Sequence, residues 1–304
     1  MKWNKQGLIV APASPFPWAA HSALTPTPWL VDDETIRIYA GFRDESGVSR
    51  IGFLEVAAAD PSTVTYVTPT PVLDVGAAGT FDDNGVILGD VVPDGASLRL
   101  YYVGFQLARG VKFLAFTGLA TSEDGGRTFQ RHGDAPILDK MNGERYIRTI
   151  HSVRREAGGW RAWYAAGDGW AEIDGRPYPR YDIRSLTSPD GAVFTGPGRP
   201  CVSLRDNEYR IGRPRVYRFD ERYLMFYTRG TLAGDYVAGY AESSDGVSWT
   251  RRDEDIGIGP SATGWDSQSL CYPALLRWRD RIYMFYNGND MGRDGVGYAI
   301  LEAW

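Results

Sequence analysis

Four acidic side chains stand in polar segments of the chain where catalytic groups could meet: Asp82, Asp83, Glu208 and Asp266. Cleavage of a glycosidic bond needs one acid that protonates the leaving oxygen and one carboxylate that attacks or activates water. The four carboxylates are of the right type for such a pair. We therefore treat all four as candidate catalytic residues.

These acids belong to five polar segments that occupy equivalent places in a repeat: 20–22, 80–85, 145–151, 208–214 and 264–269. Because unpaired buried charges are costly, the set predicts a polar ligand funnel at which the segments converge. The alternative is a network of salt bridges that plugs the channel. Trp170 and Trp265 lie near the same segments, and such side chains suit either stacking on sugar rings or plain packing.

The elements that must position these segments are short aromatic strands. One motif returns five times, roughly sixty residues apart, as in a repeat architecture. It centres on Tyr39, Tyr102, Tyr164, Tyr227 and Tyr286. Such strands, with turn residues between them, predict an all-β fold that is a five-bladed β-propeller, a single domain over residues 1–304. The last repeat lacks an outer strand, so we expect the N-terminal strand to pair with the C-terminal strand and close the ring.

Composition argues against several classes of function. The net charge is −5 and no basic block is present, which argues against a nucleic acid partner. The first residues have no signal peptide pattern and no membrane span, so we expect a cytoplasmic protein without a membrane partner. Cys201 and Cys271 lie in different repeats and are expected to be free thiols. The three histidines lack metal-binding spacing, and no metal site or cofactor is predicted.

Three hairpins share a Ser-x-Asp-Gly turn, with the aspartates Asp124, Asp190 and Asp245. Ser and Asp side chains in such turns bind the backbone amides of the turn itself. We therefore predict a structural role for these aspartates and not a catalytic one.

Together, the fivefold repeat, the inner-strand carboxylates and the Ser-x-Asp-Gly hairpins resemble the five-bladed propeller superfamily of glycoside hydrolases, which includes families 43, 32, 68 and 130. The resemblance covers essentially the whole chain. Segments 208–214, 239–246, 264–267 and 286–289 look like an uncharacterised branch of sugar-active propellers. The resemblance implies a carbohydrate-active enzyme, a glycoside hydrolase that acts on an oligosaccharide or glycoside.

The first repeat departs from these families, because His21 and Ser22 stand where a catalytic aspartate is expected. What carries over is the aspartate of the second blade, on Asp83 or Asp82, and an acid at the fourth inner strand, on Glu208. A pair such as Asp83 and Glu208 would act as base and acid of an inverting mechanism, with the assignment of roles open.

The resemblance also implies substrate-binding residues. The basic ones, which would bind hydroxyls or an anion, are His21, Arg148, His151 and Arg213. Trp170, Trp265 and Tyr272 complete the predicted set. The sequence leaves open whether a Ca²⁺ ion lies on the axis near His151, as in some arabinanases.

The basic residues suggest an alternative activity, since arginine suits phosphate well and mannoside phosphorylases place basic and tyrosine side chains where phosphate attacks. The alternative is a glycoside phosphorylase that uses inorganic phosphate, or a glycosyltransferase that uses a phosphorylated sugar. The third hypothesis is a propeller that binds glycans without catalysis.

Overall fold

The computed structural model describes residues 1–11 and 16–304. β-Strands dominate this part of the chain. The helical segments within these described residues are short turns at Pro17–Ala19, Asp253–Asp255 and Asn289–Gly292. The predicted all-β class is therefore confirmed.

Within the described residues, twenty strands pair in five antiparallel units, which we number in chain order. Unit 1 contains β2 (Ser22–Leu30), β3 (Thr35–Arg43), β4 (Ser49–Ala57) and β5 (Asp60–Val67). Unit 2 contains β6 (Val86–Asp94), β7 (Ser97–Leu107), β8 (Phe113–Ser122) and β9 (Gln130–Arg131). Unit 3 contains β10 (Ile147–Glu156), β11 (Gly159–Ile173), β12 (Arg176–Ser188) and β13 (Arg199–Val202). Unit 4 contains β14 (Glu208–Phe219), β15 (Arg222–Thr231), β16 (Tyr236–Ser243) and β17 (Thr250–Arg251). Unit 5 contains β18 (Cys271–Trp278), β19 (Arg281–Asn287), β20 (Val296–Ala303) and, as its fourth strand, β1 (Lys2–Val10).

The two ends of the chain meet in unit 5. Strand β1 pairs antiparallel with β20, with Trp3 opposite Leu301 and Lys5 opposite Ala299. The Trp3 side chain is buried, and its indole nitrogen donates a hydrogen bond to the carbonyl of Ile256 at 2.9 Å. The N-terminal strand therefore supplies the outer strand that the last repeat lacks.

Hydrophobic clusters lie between neighbouring units, and the aromatic motif of the second strands explains them. Consecutive side chains of a strand point to opposite faces of its sheet. The shared pairs are Tyr39 with Tyr102, Tyr101 with Tyr164, Trp163 with Tyr227, Phe226 with Tyr286, and Phe285 with Ile38. Each second strand from units 2 to 5 thus packs one aromatic residue on the preceding unit and the adjacent one on the following unit.

The first strand of every unit has an irregular register at an equivalent point. In units 1, 4 and 5 the irregular residue is Thr25, Arg213 or Tyr272, each with a φ of 55° or 56° and a proline after it. Non-glycine residues rarely adopt a positive φ, and such strained positions cluster at functional sites. The irregularities therefore mark the point at which the first strands need special backbone geometry.

The Ser-x-Asp-Gly turns have the predicted structural role. In the first of them, the Asp124 carboxylate accepts hydrogen bonds from the amides of Arg127 and Thr128, at 2.9 and 3.0 Å. Asp190 and Asp245 bind the amides of their own turns in the same way. Hydrogen bonds from the backbone hold the pKa of Asp190 and of Asp245 at about 2, which keeps both carboxylates ionised.

Candidate functional site

A buried polar cluster lies where the irregular points of the first strands meet. Arg213 of unit 4 donates to the carbonyl of Thr25 in unit 1 at 3.1 Å and to that of Gly89 in unit 2 at 2.6 Å. It also contacts Nδ1 of His151 in unit 3 at 3.2 Å. Side chains and carbonyls from four units therefore converge on one guanidinium group. At this point the polar residues bond to one another, as in the network that the sequence analysis gave as the alternative to a ligand funnel.

The charges of this cluster do not balance. Asp90 accepts a hydrogen bond from Arg215 at 2.6 Å, whereas Arg213 bonds carbonyls, a hydroxyl and the imidazole. Burial, with Arg213 and Arg215 nearby, lowers the pKa of His151 well below its usual value, so the imidazole is neutral at neutral pH. Burial and the neighbouring Arg215 lower the pKa of Arg213 to about 9. The cluster therefore contains two guanidinium groups and one carboxylate, and that carboxylate pairs with Arg215.

This excess of positive charge bears on the open question of a Ca²⁺ ion near His151. Calcium prefers six to eight oxygen ligands, several of them carboxylates. The His151 ring contacts the Thr149 hydroxyl at 3.1 Å and Arg213 on its other side. Across residues 1–11 and 16–304, no group of three or more His, Cys, Asp or Glu side chains could hold a metal ion. The surroundings of His151 do not suit a divalent cation.

Three of the four predicted catalytic carboxylates lie in ion pairs inside their own units. Asp82 is 1% exposed and accepts a hydrogen bond from Nε of Arg131, on β9, at 2.8 Å. Asp266 accepts from Nζ of Lys5, on β1, at 2.7 Å and from the hydroxyl of Tyr286 at 3.1 Å. In both cases the acid precedes the first strand and the cation comes from the fourth strand.

Glu208 repeats this arrangement at the start of β14. The two nitrogens Nη1 and Nη2 of Arg251, on β17, donate to its carboxylate at 2.9 and 2.7 Å. The amide of Arg205 donates at 2.8 Å, and the Arg229 guanidinium lies 3.8 Å away. The Arg251 guanidinium also pairs with Asp253, and Asp253 accepts a hydrogen bond from the hydroxyl of Tyr227. The Glu208 carboxylate is thus buried and surrounded by hydrogen-bond donors.

Unit 3 holds a fourth carboxylate of this kind, Glu144, which the sequence analysis missed. It is fully buried and accepts hydrogen bonds from Arg148 at 2.6 Å, Arg184 at 3.0 Å and the Tyr164 hydroxyl at 2.8 Å. Arg148, predicted to bind substrate, is therefore occupied by Glu144 and by two backbone carbonyls. The signal that could have found Glu144 is the recurring tyrosine at position 164, whose counterparts also lie near an acid.

Asp83 differs from its neighbour Asp82. Its side chain is half-buried and accepts a hydrogen bond from the amide of Gly79 at 2.9 Å. Among the described residues no cation forms an ion pair with it. Asp83 precedes β6, the strand that sends the Gly89 carbonyl to Arg213. It is the predicted carboxylate that stays available to a ligand.

The remaining predicted binding residues are scattered around the starts of the first strands. His21 is half-buried and contacts the Ser22 hydroxyl at 3.3 Å. Trp265 stacks on Tyr286 with ring centroids 5.1 Å apart, which is a packing contact. Trp170 lies on the long β11–β12 hairpin, in edge contact with Phe113 at 5.3 Å, and its buried indole nitrogen has no partner within the described residues.

Tyr272 leads to a group of residues that the sequence analysis did not find. Its hydroxyl accepts a hydrogen bond from Tyr236 at 2.8 Å. Arg210, two residues after Glu208, has its guanidinium 4.2 Å from the centre of the Tyr236 ring and 4.9 Å from that of Tyr209. Tyr178 of unit 3 lies 6.0 Å from the same guanidinium. Arg210 lies within segment 208–214, but the sequence pattern indicated Glu208 and Arg213 as the candidate residues of that segment.

Two clefts open on the surface of the described residues. One, of about 380 Å³, lies outside Glu208 and is lined by Arg205, Asn207, Arg229 and Asp253 among others. The other, of about 450 Å³, lies between the β10–β11 and β14–β15 turns and is lined by Arg154, Arg155 and Arg218. The second cleft lies at the opposite end of the first strands from Glu208 and contains none of the predicted site residues.

Comparison with known proteins identifies relatives over the full length. No family model matches the chain. The uncharacterized protein Rv1502 of Mycobacterium tuberculosis is 32% identical over 304 residues, covering 99% of this chain and 100% of the relative. The uncharacterized protein MT1551, from another strain of the same species, matches to the same extent. Within the described residues, no helix is long and apolar enough to cross a membrane.

Solved structures share the fold at low sequence identity. A glycoside hydrolase has a TM-score of 0.74 and 19% identity, over 99% of this chain and 92% of that one. A structure from the GH130 family of mannoside phosphorylases, which contains glycoside hydrolases that target β-1,2 mannosidic linkages in Candida mannan, has a TM-score of 0.69 and 18% identity, over 98% and 93%. A thermostable family-43 glycoside hydrolase has 0.67 and 15%, over 94% and 91%. The chain therefore has the fold of the glycoside hydrolase propellers, as the resemblance in the sequence indicated.

Proposed function

This chain belongs to the same family as the uncharacterized protein Rv1502 of Mycobacterium tuberculosis and shares the fold of glycoside hydrolase propellers, and on that premise we propose that it is a carbohydrate-active enzyme. Its substrate is an oligosaccharide or glycoside, bound where the first strands of the units begin. Fold alone does not fix activity, so the proposal depends on the residues at that place.

We infer that the five units are the blades of one closed propeller domain over residues 1–304. Two observations support this: the hydrophobic clusters link each unit to the next and unit 5 to unit 1, and β1 completes unit 5. In such a ring the starts of the first strands surround one funnel. Asp83, His21, Arg210 and Tyr272 then face a common ligand.

The observation that carries the proposal is the state of Asp83. A general acid must be able to hold and release a proton, which a carboxylate inside a buried ion pair does poorly. Asp83 is half-buried and outside any ion pair among the described residues, unlike Asp82, Glu208 and Asp266. We therefore assign it the role of the acid that protonates the leaving oxygen.

Hydrolysis by inversion also needs a base, and Glu208 is the candidate that the fold offers. Arg251 and Arg229 lie beside its carboxylate, and a carboxylate next to two cations suits a base better than an acid. Glycoside hydrolysis with Asp83 as acid and Glu208 as base is our first assignment.

Phosphorolysis is the second candidate, and Arg210 favours it. In that reaction phosphate is the nucleophile, so one protein acid and an anion-binding group are enough. Arg210 has no carboxylate partner among the described residues. A glycosyltransferase that uses a phosphorylated sugar would need the same two groups.

The test is turnover of a panel of p-nitrophenyl furanosides and pyranosides and of the matching disaccharides, with and without inorganic phosphate. The variants are Asp83→Asn and, as a matched control, Asp134→Asn, which removes an exposed carboxylate in the loop that follows β9. Loss of a general acid lowers kcat by roughly 100- to 10,000-fold. The loss should be larger for disaccharides than for p-nitrophenyl glycosides, because nitrophenolate leaves without a proton.

Each outcome separates the assignments. Turnover without phosphate that Asp83→Asn abolishes supports the hydrolase, and turnover that requires phosphate supports the phosphorylase. Equal activity of Asp83→Asn and Asp134→Asn contradicts the role of Asp83. Sugar binding without turnover in any condition contradicts an enzyme and favours the glycan-binding propeller.

A further inference from the structure

Arg210 is a cation without a counter-ion in the part of the chain that the structure describes. No hydrogen bond or ion pair connects its guanidinium to those residues, and its Nε is buried without a partner. Arg210 is half-buried at the start of β14, and its two Nη groups make no hydrogen bond to the described residues. The side chain extends over Gly230, where a Cβ atom would lie 3.0 Å from Nε. Arg210 is therefore held in place while its donor groups remain unused.

Tyrosines from three units hold this guanidinium. Tyr209 and Tyr236 of unit 4 present their rings at 4.9 and 4.2 Å, and Tyr178 of unit 3 packs edge-on against Tyr209 at 5.8 Å. Tyr236 donates its hydroxyl proton to Tyr272 of unit 5. Cation–π contacts of this kind fix a guanidinium without consuming its N–H donors. We call Arg210 with Tyr178, Tyr209, Tyr236 and Tyr272 the tyrosine cage.

The acids near the cage are engaged elsewhere. Asp235, beside Tyr236, accepts a hydrogen bond from the Thr231 hydroxyl at 3.0 Å. Glu208 is paired with Arg251, and Asp182, two residues before Arg184, is paired with that arginine at 2.9 Å. The buried polar cluster contributes a second cation, because its Arg213 has no carboxylate partner. Arg210 and Arg213 thus both lack a carboxylate partner among the described residues, which favours an anionic ligand at the cage.

We propose that the tyrosine cage binds an oxyanion of the substrate, so that the glycoside acted on here carries a carboxylate or phosphate group. The planar fork of arginine donates two parallel hydrogen bonds to either group. The Tyr272 hydroxyl can add a third, and the half-buried rings of Tyr178, Tyr236 and Tyr272 can contact a sugar face. This inference names a substrate class for the site in "Proposed function" and rests on that function.

The test measures binding by isothermal titration calorimetry and needs no turnover. The probes are sodium glucuronate, inorganic phosphate and the neutral sugar glucose, each in the same buffer. The variants are Arg210→Met, which keeps the length of the side chain, and Arg210→Lys, which keeps the charge without the fork. The control is Arg176→Met, an exposed arginine at the end of the same hairpin that carries Tyr178.

Wild type should bind glucuronate or phosphate more tightly than glucose. Arg210→Met should weaken that anion by roughly 10- to 100-fold, the usual value of hydrogen bonds to a charged group. Arg210→Lys should recover part of the loss, whereas Arg176→Met should bind like wild type. Binding of glucuronate alone identifies an acidic sugar as the source of the oxyanion, and binding of inorganic phosphate alone identifies phosphate.

Two results would overturn the proposal: no preference of wild type for either anion over glucose, or equal anion affinity of Arg210→Met and wild type. If the Arg210 variants lose the native melting transition, Tyr236→Phe, which removes a hydroxyl next to the anion, must weaken binding in a folded protein. A protein that binds the anion but turns over no glycoside contradicts the enzyme and not the cage.

Discussion

Neighbouring aspartates with opposite roles offer a sharp test of the structure. Asp82→Asn and Asp83→Asn make the same chemical change at consecutive positions. Asp82 is 1% exposed, pairs with Arg131 at 2.8 Å and accepts from the Thr80 hydroxyl at 2.8 Å. Asp83 is half-buried with one backbone partner. The first substitution should therefore affect stability, and the second should affect activity.

The magnitude follows from burial. Removing one charge of a fully buried pair costs about 3–5 kcal/mol. The Arg131 side chain is 22% exposed, so water takes up part of its charge. We expect Asp82→Asn to lower the free energy of unfolding by about 2–3 kcal/mol, since asparagine keeps the shape and one acceptor. Asp83→Asn should cost about 1 kcal/mol or less, because the Gly79 amide can still bond the asparagine oxygen.

The assay is urea unfolding followed by tryptophan fluorescence, with both variants and wild type at one pH. A drop in stability for Asp82→Asn that exceeds the drop for Asp83→Asn by at least about 1 kcal/mol supports the assignment. The reverse order would refute the reasoning, because it would place the structural ion pair on the residue that we propose as the acid. Equal values would refute it as well.

Three further outcomes are expected. Glu144→Gln should destabilise the protein by about 3–5 kcal/mol in urea unfolding, because Arg148 and Arg184 lose their shared buried counter-ion, while Asp168→Asn, in an exposed pair with Arg145, should cost less than about 1 kcal/mol. Stability should fall as the pH drops below about 6.5, because the unfolded chain protonates His151 and the folded chain, with its lowered pKa, does not; unfolding of His151→Gln across pH 5–8 should lack this part of the slope. Burial raises the pKa of Cys201 to about 11 and raises that of Cys271 further, so an aromatic disulfide reagent at pH 8 should modify Cys201 slowly and Cys271 only in denaturant.

The fold was predictable because its signal is local. Adjacent aromatic residues such as Tyr101 and Tyr102 mark a strand buried on both faces, and their return at a fixed interval marks a repeated unit. The exchange of β1 into unit 5 was also predictable, since the last repeat ends at its third strand. Each of these two predictions depends on the residues within one segment and on the order of the segments along the chain.

The roles of the repeated acids needed information that the sequence pattern does not contain. An acidic residue before a first strand gives the same sequence pattern in two cases: when its side chain faces the funnel, and when it faces the space between strands of its own unit. The difference lies in its partner: Lys5 reaches Asp266 from the other end of the chain, and Arg131 reaches Asp82 from a two-residue strand. Periodicity therefore located these acids without telling their orientation.

The units suggest how structure and function divide the same positions. Units 2 to 5 each bury an acid near the tyrosine of the second strand, and unit 1 uses Glu55 with Arg37 and Tyr39 instead. A residue that recurs in this way answers a need common to all units, which is the cross-linking of segments within each unit. A ligand that occupies one funnel is asymmetric and has to be recognised by groups that occur once. Asp83 and Arg210 lie at the starts of the first strands outside the repeated ion pairs and, unlike Arg213, are not fully buried, so they are positions at which we expect chemistry and specificity.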